Sequence, residues 1–126
     1  MQGIEGRGRA TILVVEDSED AREALVVLLE MESYQAVPAS NGREALDYLN
    51  GAPSPALIIL DLWMPLMNGA QFRREQMKDA RLAAIPVIIT TASSDGPIDV
   101  DATEVVVKPF HIEKLLAIAS RYCKLT

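Results

Sequence analysis

The sequence has one cysteine, no cluster of basic residues and no long apolar run. The single cysteine, Cys123, cannot form an intramolecular disulfide, so a reducing cytoplasm is the default location. No apolar run approaches the roughly 20 residues that span a bilayer, and we expect neither a membrane span nor a secretory leader. The net charge of −6, with 12 Lys and Arg against 18 Asp and Glu, argues against nucleic-acid partners, whose phosphates require clustered cations.

The length of the chain and the composition of its first residues define the expected domain. A chain of 126 residues fits one domain with a single core. The first ten residues, MQGIEGRGRA, have no apolar periodicity, and the segment 4–7 resembles a protease site used to remove affinity tags. We therefore expect residues 1–10 to be a disordered tail or a tag remnant and residues 11–126 to form the domain.

The segment that ends at Asp61 is the first candidate for a functional site. Residues 56–60 are five consecutive apolar residues, which is typical of a short strand buried on both faces. In open parallel α/β sheets the ligand crevice lies beyond the carboxyl ends of the strands. Asp61 is thus a candidate for chemistry, although an isolated Asp could simply end the strand.

Strand and helix patterns alternate along the rest of the chain. Further strands are predicted over 11–15, 34–39, 85–91 and 104–107, and helices over about 18–32, 41–51, 70–79 and 111–124. Turn-forming residues predominate between 91 and 104, so a loop with at most one helical turn should replace the fourth helix. This order predicts an α/β fold with a doubly wound, five-stranded parallel sheet and helices on both faces.

Apolar spacing predicts which side of each helix packs on the sheet. The third helix has only two apolar residues on its predicted inner side. The residues expected to face the sheet are Ala21, Ala24, Leu25 and Leu28 in the first helix, Ala45, Leu46 and Leu49 in the second, Phe72 and Met77 in the third, and Ile112, Leu115, Leu116, Ala119 and Cys123 in the last.

Polar side chains stand at the carboxyl ends of four predicted strands. They are Glu16 and Asp17, Asp61, Thr91 and Lys108. In a doubly wound sheet these strands can be neighbours. Two carboxylates about 4 Å apart repel by roughly 4 kcal/mol at an effective dielectric near 20, so the cluster requires cations. Lys108 supplies one, and Mg²⁺, which binds carboxylates, waters and phosphate oxygens, suits the remainder. The sequence thus predicts a phosphoryl-transfer site with Asp61 as nucleophile.

Four segments resemble the motifs of the receiver domain of bacterial response regulators. They are ILVVED at 12–17, LIILDLWMP at 57–65 with the pair Asn68 and Gly69, PVIITTA at 86–92, and VKPF at 107–110. The resemblance covers about residues 11–124, and the motifs occur in the family's order. It implies a flavodoxin-like receiver fold with strand order 2-1-3-4-5.

The resemblance also implies the acceptor and the metal ligands. Asp61 would be the phospho-acceptor. Asp17 and Asp61 would bind Mg²⁺ directly, and the backbone carbonyl of Trp63 would be a third ligand. Glu16 would act through metal-bound water.

Two further residues would contact the phosphoryl group in a member of this family. Thr91 would hydrogen-bond to it, and is preferred to Thr90 because it directly precedes Ala92. Lys108 would pair with it, next to a peptide bond to Pro109 that is cis in the family.

The sequence departs from the family's pattern in three places. Glu16 replaces the more usual Asp, and its longer side chain can still reach a metal-bound water. Val105 stands where the family has a Tyr or Phe that moves with the switch Thr. The interval of 17 residues from Thr91 to Lys108 is several residues shorter than usual, and the fourth helix lies in that interval. These departures leave the expected acceptor chemistry intact and predict that the family's usual aromatic readout is absent.

The leading interpretation is a single-domain response regulator of two-component signalling. It would accept a phosphoryl group on Asp61 from a histidine kinase or a histidine phosphotransfer protein and signal through a partner protein, as a monomer or weak dimer. Apart from self-phosphorylation it would not be an enzyme, and its autodephosphorylation should be slow because Trp63 and Ser93 orient an attacking water poorly.

Two alternatives remain from the sequence. One is a receiver-like adaptor recognised without phosphorylation, which Val105 and the short fourth crossover favour. The other is a phosphatase with an aspartyl nucleophile. Such enzymes usually have an Asp two residues after the first as general acid, and Trp63 occupies that position. Flavin or dinucleotide binding is disfavoured because no Gly-rich turn follows the first strand.

Overall fold

The five predicted strands form one parallel sheet. The computed structural model describes residues 9–64, 66–92, 100–109 and 111–123. The strands are β1 (Thr11–Val15), β2 (Gln35–Ala39), β3 (Leu57–Asp61), β4 (Val87–Ala92) and β5 (Glu104–Lys108). They pair in parallel in the order β2-β1-β3-β4-β5, which confirms the predicted fold and strand order.

Helices cover both faces of this sheet. They are α1 (Glu19–Met31), α2 (Gly42–Gly51), α3 (Gly69–Met77), α4 (Ala80–Ala83) and α5 (Ile112–Tyr122). Side chains of α2, α3 and α4 share one core cluster with one face of the sheet, and side chains of α1 and α5 share a second cluster with the other face. The four-residue α4 was not predicted. In the part of the chain that the structure describes, no helix is both long enough and apolar enough to cross a bilayer.

The strand register places the predicted site residues at one edge of the sheet. Val15 pairs with Leu60, so Glu16 and Asp61 follow paired positions on neighbouring strands. On the other side Ala92 pairs with Lys108 at the end of β5. Because all the strands run in the same direction, their carboxyl ends lie at this edge.

The structure corrects the predicted inner side of α3. Phe72 is fully buried as expected, but Met77 is 52% exposed and Gln76 is fully buried in its place. The amide of Gln76 donates to the carbonyl oxygens of Leu82 (2.7 Å) and Ile85 (3.2 Å), so its burial leaves no donor unpaired. Apolar spacing alone cannot predict a polar residue that finds such partners.

The inner side of α1 also differs from the prediction at one position. Ala24 is exposed, whereas Leu29 is fully buried in the cluster with α5. Leu25 is partly buried against the same cluster, as predicted. The fully buried residue of α1 therefore lies near the C-terminal end of the helix. The predicted inner residues of α2, namely Ala45, Leu46 and Leu49, are all buried.

The remaining helix prediction concerns α5 and the segment before it. Leu115, Ala119 and Cys123 are buried, as expected, and Ile118, which was not predicted, joins them.

The predicted loop in place of a fourth helix falls mainly on residues 93–99, which lie outside the described residues. Residues 100–103 contain no helix. The guanidinium of Arg73 holds this short segment on α3 by donating to the carbonyl oxygen of Asp101 at 2.7 Å.

Candidate functional site

The first part of the site is the loop between β1 and α1. Glu16 is buried, and its amide donates to the Ala39 carbonyl oxygen at 3.0 Å. The amide of Ser18 donates to Glu16 Oε2 at 3.1 Å, while the Ser18 side chain caps α1. Asp17 is exposed at the mouth of the site. The loop thus fixes one acid inside the protein and presents the next to solvent.

Arg22 reaches back from the first turns of α1 to the same loop. Its Nη1 donates to the backbone carbonyl oxygen of Glu16 at 2.9 Å. Arg22 was not among the site residues predicted from the sequence. The available signal was its position, because Arg22 is the only basic residue between Glu16 and Glu32.

The second part of the site is Asp61 with the turn that follows β3. Asp61 is 7% exposed, and the amide of Leu62 extends the pairing with β4 by donating to the Thr90 carbonyl oxygen at 3.0 Å. The turn closes where the amide of Gly69 donates to the Leu62 carbonyl oxygen at 2.8 Å. A Cβ on Gly69 would lie 3.0 Å from Leu62 Cα and 3.1 Å from the Asp61 carbonyl oxygen, so this close approach favours glycine.

The helix that follows this turn is capped by Asn68. The Asn68 side chain accepts from the amide of Gln71 at 2.9 Å, and the Gln71 side chain accepts from the amide of Asn68 at the same distance. This reciprocal capping box fixes where α3 begins. The motif Asn68 and Gly69 is therefore explained by a helix cap beside a close backbone contact. Within the turn, the Trp63 side chain is 57% exposed.

Lys108 is the third part of the site. Its ammonium Nζ lies 3.3 Å from Glu16 Oε1 and 3.5 Å from Asp61 Oδ1. The peptide bond from Lys108 to Pro109 is cis, as the resemblance implies. The end of β5 thus delivers one positive charge to both buried acids.

Burial and neighbouring charges shift the pKa values of Asp61 and Lys108. Burial, followed by the nearby charge of Glu16, raises the pKa of Asp61 from 3.8 to about 7, although Lys108 opposes the shift. For Lys108, burial lowers the pKa, but the charges of Asp61 and Glu16 outweigh it and the net pKa is raised. The protein therefore holds excess negative charge at this edge, which a bound cation would relieve.

The three acids are close enough to share one metal ion. Carboxylate oxygens of Glu16, Asp17 and Asp61 all lie within 4.8 Å of one another. These are hard oxygen donors, which suit Mg²⁺ or Ca²⁺ and not a thiolate-binding or imidazole-binding metal. The donor set at this edge therefore fits the predicted Mg²⁺.

Both candidate threonines of β4 are buried at the same edge. Thr90 pairs in register with Asp61, and Thr91 lies one residue further toward the carboxyl ends of the strands, opposite Val107. Successive strand residues point to opposite faces, so the two hydroxyl groups leave the strand in different directions. The preference for Thr91 as the residue that contacts a phosphoryl group stays a prediction.

Beyond the acidic cluster, β5 presents aliphatic side chains to solvent. Val105 is 42% exposed and Val107 is 47% exposed, while Val106 between them is buried against α5. Val105 is the position where the receiver resemblance implies an aromatic ring. Ser93, the second residue expected to flank the acceptor, lies outside the described residues.

Comparison with known proteins identifies the family that the sequence motifs resemble. The model of the response regulator receiver domain matches residues 12–120. The chain is 35% identical over 112 residues to Protein PilH of Pseudomonas aeruginosa, covering 85% of this chain and 92% of that protein. A receiver domain of a signal transduction histidine kinase from Syntrophus aciditrophicus superposes with a TM-score of 0.81 at 32% identity, covering 90% of this chain and 89% of that one.

A third comparison bears on the fold alone. The receiver domain of a sensor histidine kinase from Pseudomonas aeruginosa, whose structure has a magnesium ion coordinated in its active site cleft, superposes with a TM-score of 0.84 at 21% identity. It covers 91% of this chain and 98% of that one. From the sequence match over 12–120 and the similarity to PilH, we conclude that the chain belongs to the family of response regulator receiver domains.

Proposed function

We propose that residues 11–126 form a receiver whose Asp61 accepts a phosphoryl group from a phosphohistidine donor. The observation that carries this proposal is the convergence of Lys108 with the acids. One ammonium lies within 3.5 Å of both Asp61 and Glu16, although Lys108 and Glu16 are 92 positions apart in sequence. An acid cluster with one fixed cation at the ends of parallel strands suits binding of a further cation together with an anionic group.

The transfer step exchanges one bond to phosphorus for another. A carboxylate oxygen of Asp61 attacks the phosphorus of the phosphohistidine, and the bond from phosphorus to the imidazole nitrogen breaks. The leaving nitrogen takes the bonding electron pair and a proton, and Asp61 becomes an acyl phosphate. The ammonium of Lys108, held at 3.5 Å from Asp61, is placed to neutralise charge on the phosphoryl oxygens.

We propose that Asp17, Asp61 and the carbonyl of Trp63 hold Mg²⁺ directly and that Glu16 does so through water. When bound, the ion supplies positive charge to the transferring phosphoryl oxygens. The clustering of Glu16, Asp17 and Asp61 within 4.8 Å supports this assignment. A receiver domain of similar fold from Pseudomonas aeruginosa has a magnesium ion coordinated in its active site cleft, which supports the choice of Mg²⁺.

The buried hydroxyl of Thr91 would form a hydrogen bond with the phosphoryl group. This bond would couple phosphorylation to the conformation of the rest of the domain. The donor would be a sensor histidine kinase or a histidine phosphotransfer protein. The receiver, as a monomer or weak dimer, would pass the signal to a downstream protein in the cytoplasm. The sequence match to the receiver family supports these general partners.

Phosphorylation of matched variants tests the proposal. Wild type and Asp61→Asn would be incubated with Mg²⁺ and either acetyl phosphate or a phosphorylated histidine phosphotransfer protein, and intact mass would be measured. Wild type should gain one phosphoryl group and Asp61→Asn none. Asp47→Asn, which changes an exposed carboxylate on α2, should behave like wild type. Phosphorylation of Asp61→Asn at the wild-type rate would refute the acceptor assignment.

A second candidate function is an adaptor that is recognised without phosphorylation. The specific observation in its favour is Val105, an exposed aliphatic residue at the position of the family's mobile aromatic ring. Beryllofluoride, which mimics the acyl phosphate, separates the two functions. A phosphorylation-dependent receiver should change its affinity for its partner when beryllofluoride and Mg²⁺ are added. An adaptor should bind equally well with and without them.

A further inference from the structure

The loop that carries Glu16 and Asp17 begins where β1 ends. The path of its backbone therefore determines where the two carboxylates point. The pairing of β1 with β2 and with β3 ends at Val15. Beyond it the amide of Glu16 still donates to Ala39, but its carbonyl oxygen is outside the strand ladder. The direction of the next peptide unit, and therefore of both carboxylates, depends on what holds this carbonyl.

Arg22 is the residue that holds it. The amide of Arg22 donates to the Ser18 carbonyl oxygen at 2.9 Å in the first turn of α1, and its guanidinium Nη1 donates to the Glu16 carbonyl oxygen at 2.9 Å. One residue thus links the end of β1 to the start of α1. The charged donor makes this a stronger hydrogen bond than a neutral pair.

The bond is directed to the neutral backbone carbonyl of Glu16, although the carboxylate of the same residue belongs to the acidic cluster. A guanidinium that served as a counter-ion for the cluster would compete with a metal ion for the same negative charge. A guanidinium that orients the backbone would instead help the acids to bind the metal. The two roles predict opposite effects when the side chain is removed.

We infer that Arg22 is a positioning residue for the metal-binding edge. By fixing the Glu16 carbonyl, it sets the directions in which the Glu16 and Asp17 carboxylates leave the β1–α1 loop. The inference rests on the proposed function, because it assigns Arg22 a role toward the Mg²⁺ that Asp17 and Asp61 would bind. Residues that orient metal ligands in other proteins typically contribute 10-fold to 100-fold to metal affinity, so we expect about a tenfold effect here.

Magnesium titrations of matched variants measure this effect. Calorimetry, together with the fluorescence of the single tryptophan, Trp63, two residues after Asp61, would give the dissociation constant for Mg²⁺. Arg22→Met should bind Mg²⁺ about tenfold more weakly than wild type. Arg22→Lys, which keeps the charge and one donor group, should recover part of the loss. Unchanged or tighter binding in Arg22→Met would overturn the inference.

A metal-free measurement tests the same role without any ion. The Ser18 amide donates to Glu16 Oε2, so its hydrogen exchange reports how well the loop is ordered. In Arg22→Met with chelator present, the Ser18 amide should exchange about tenfold faster than in wild type. Amides of α5 should be unaffected. Equal acceleration throughout the protein would indicate general destabilisation and would overturn a positioning role.

Two further variants separate failure of this inference from failure of the metal site itself. Arg74→Met removes an exposed arginine of α3 and should leave Mg²⁺ affinity unchanged. Asp61→Asn must weaken Mg²⁺ binding, and if it does not, the proposed metal site fails. If Asp61→Asn weakens binding and Arg22→Met does not, only the role of Arg22 fails. Should Arg22→Met not fold, Arg22→Ala, which also removes every side-chain donor, decides, because wild-type Mg²⁺ affinity in that variant would also overturn the inference.

Discussion

Replacement of Asp61 by asparagine should stabilise the metal-free protein. The carboxylate is 7% exposed and shares its site with the buried Glu16. Burial and that neighbouring charge raise the pKa of Asp61 from 3.8 to about 7. The folded protein therefore binds this proton more tightly than the unfolded chain, and ionising Asp61 lowers the free energy of unfolding. Asparagine has nearly the same shape and removes the charge.

The size of the effect follows from the shift in pKa. A rise of about three units corresponds to about 4 kcal/mol once the pH is above both values. The pKa of about 7 already includes the attraction of Lys108, whose Nζ lies 3.5 Å from Asp61 Oδ1, so the loss of that ion pair is not subtracted again. We therefore expect Asp61→Asn to raise the free energy of unfolding by up to about 4 kcal/mol at pH 8.

The direction of the pH dependence identifies the cause. For an acid whose pKa is raised by folding, the contribution to stability is lost as the pH rises from the unfolded value of 3.8 through the folded value of about 7. The gain in Asp61→Asn should therefore be largest at pH 8 and fall to roughly a quarter of that at pH 4.5. Urea unfolding with a chelator present, followed by circular dichroism, measures both values.

Magnesium and a control variant complete the experiment. Saturating Mg²⁺ should stabilise wild type more than Asp61→Asn and so reduce or reverse the difference at pH 8. Asp47→Asn, an exposed acid on α2, should change stability by less than about 0.5 kcal/mol at either pH. If Asp61→Asn destabilises the metal-free protein at pH 8, or if its gain does not depend on pH, the reasoning from charge and burial is refuted.

Three other predictions concern single residues. Gln76→Leu should lower the free energy of unfolding by about 3 kcal/mol in urea titrations, because it removes the acceptor of the buried Arg73 guanidinium and the amide donor to the Leu82 and Ile85 carbonyl oxygens; a loss below about 1 kcal/mol would contradict this. Burial raises the pKa of the Cys123 thiol to about 11, so alkylation by iodoacetamide at pH 8 should require unfolding, and rapid alkylation of the folded protein would disprove it. The acyl phosphate should persist for minutes or longer because Trp63 cannot orient an attacking water, and Trp63→Gln should shorten its lifetime; a wild-type half-life of seconds in a radiolabel chase would refute this.

The strands and their terminal acids could be predicted because each signal is local. β1 and β3 each contain a continuous apolar run, which is typical of a strand that is buried on both faces. Ser18 could likewise be identified as a helix cap, because an N-cap is recognised from its own residue type and the first turn that follows. Together with the receiver resemblance, these patterns predicted the strand order. They also predicted that Glu16, Asp17 and Asp61 would lie at one edge of the sheet.

The buried side of α3 could not be predicted because it depends on distant partners. Arg73 donates to Gln76 Oε1 at 2.6 Å and to the carbonyl oxygen of Asp101, 28 positions further along the chain. Apolar spacing favoured Met77 on the inner side, whereas a satisfied hydrogen-bond network makes the burial of Gln76 acceptable. Whether a polar side chain is buried is decided by groups that only the folded chain brings within reach.

By itself, the sequence determined which residue types stand at the ends of the strands, and hence that several acids and one lysine would meet. Only the tertiary structure decided how they meet: Lys108 between Glu16 and Asp61, and Arg22 on the backbone of Glu16. The physical reason is that hydrophobic periodicity acts over a few neighbouring residues. Hydrogen bonds and charge pairs instead depend on distances of about 3 Å between groups that can be far apart in the chain.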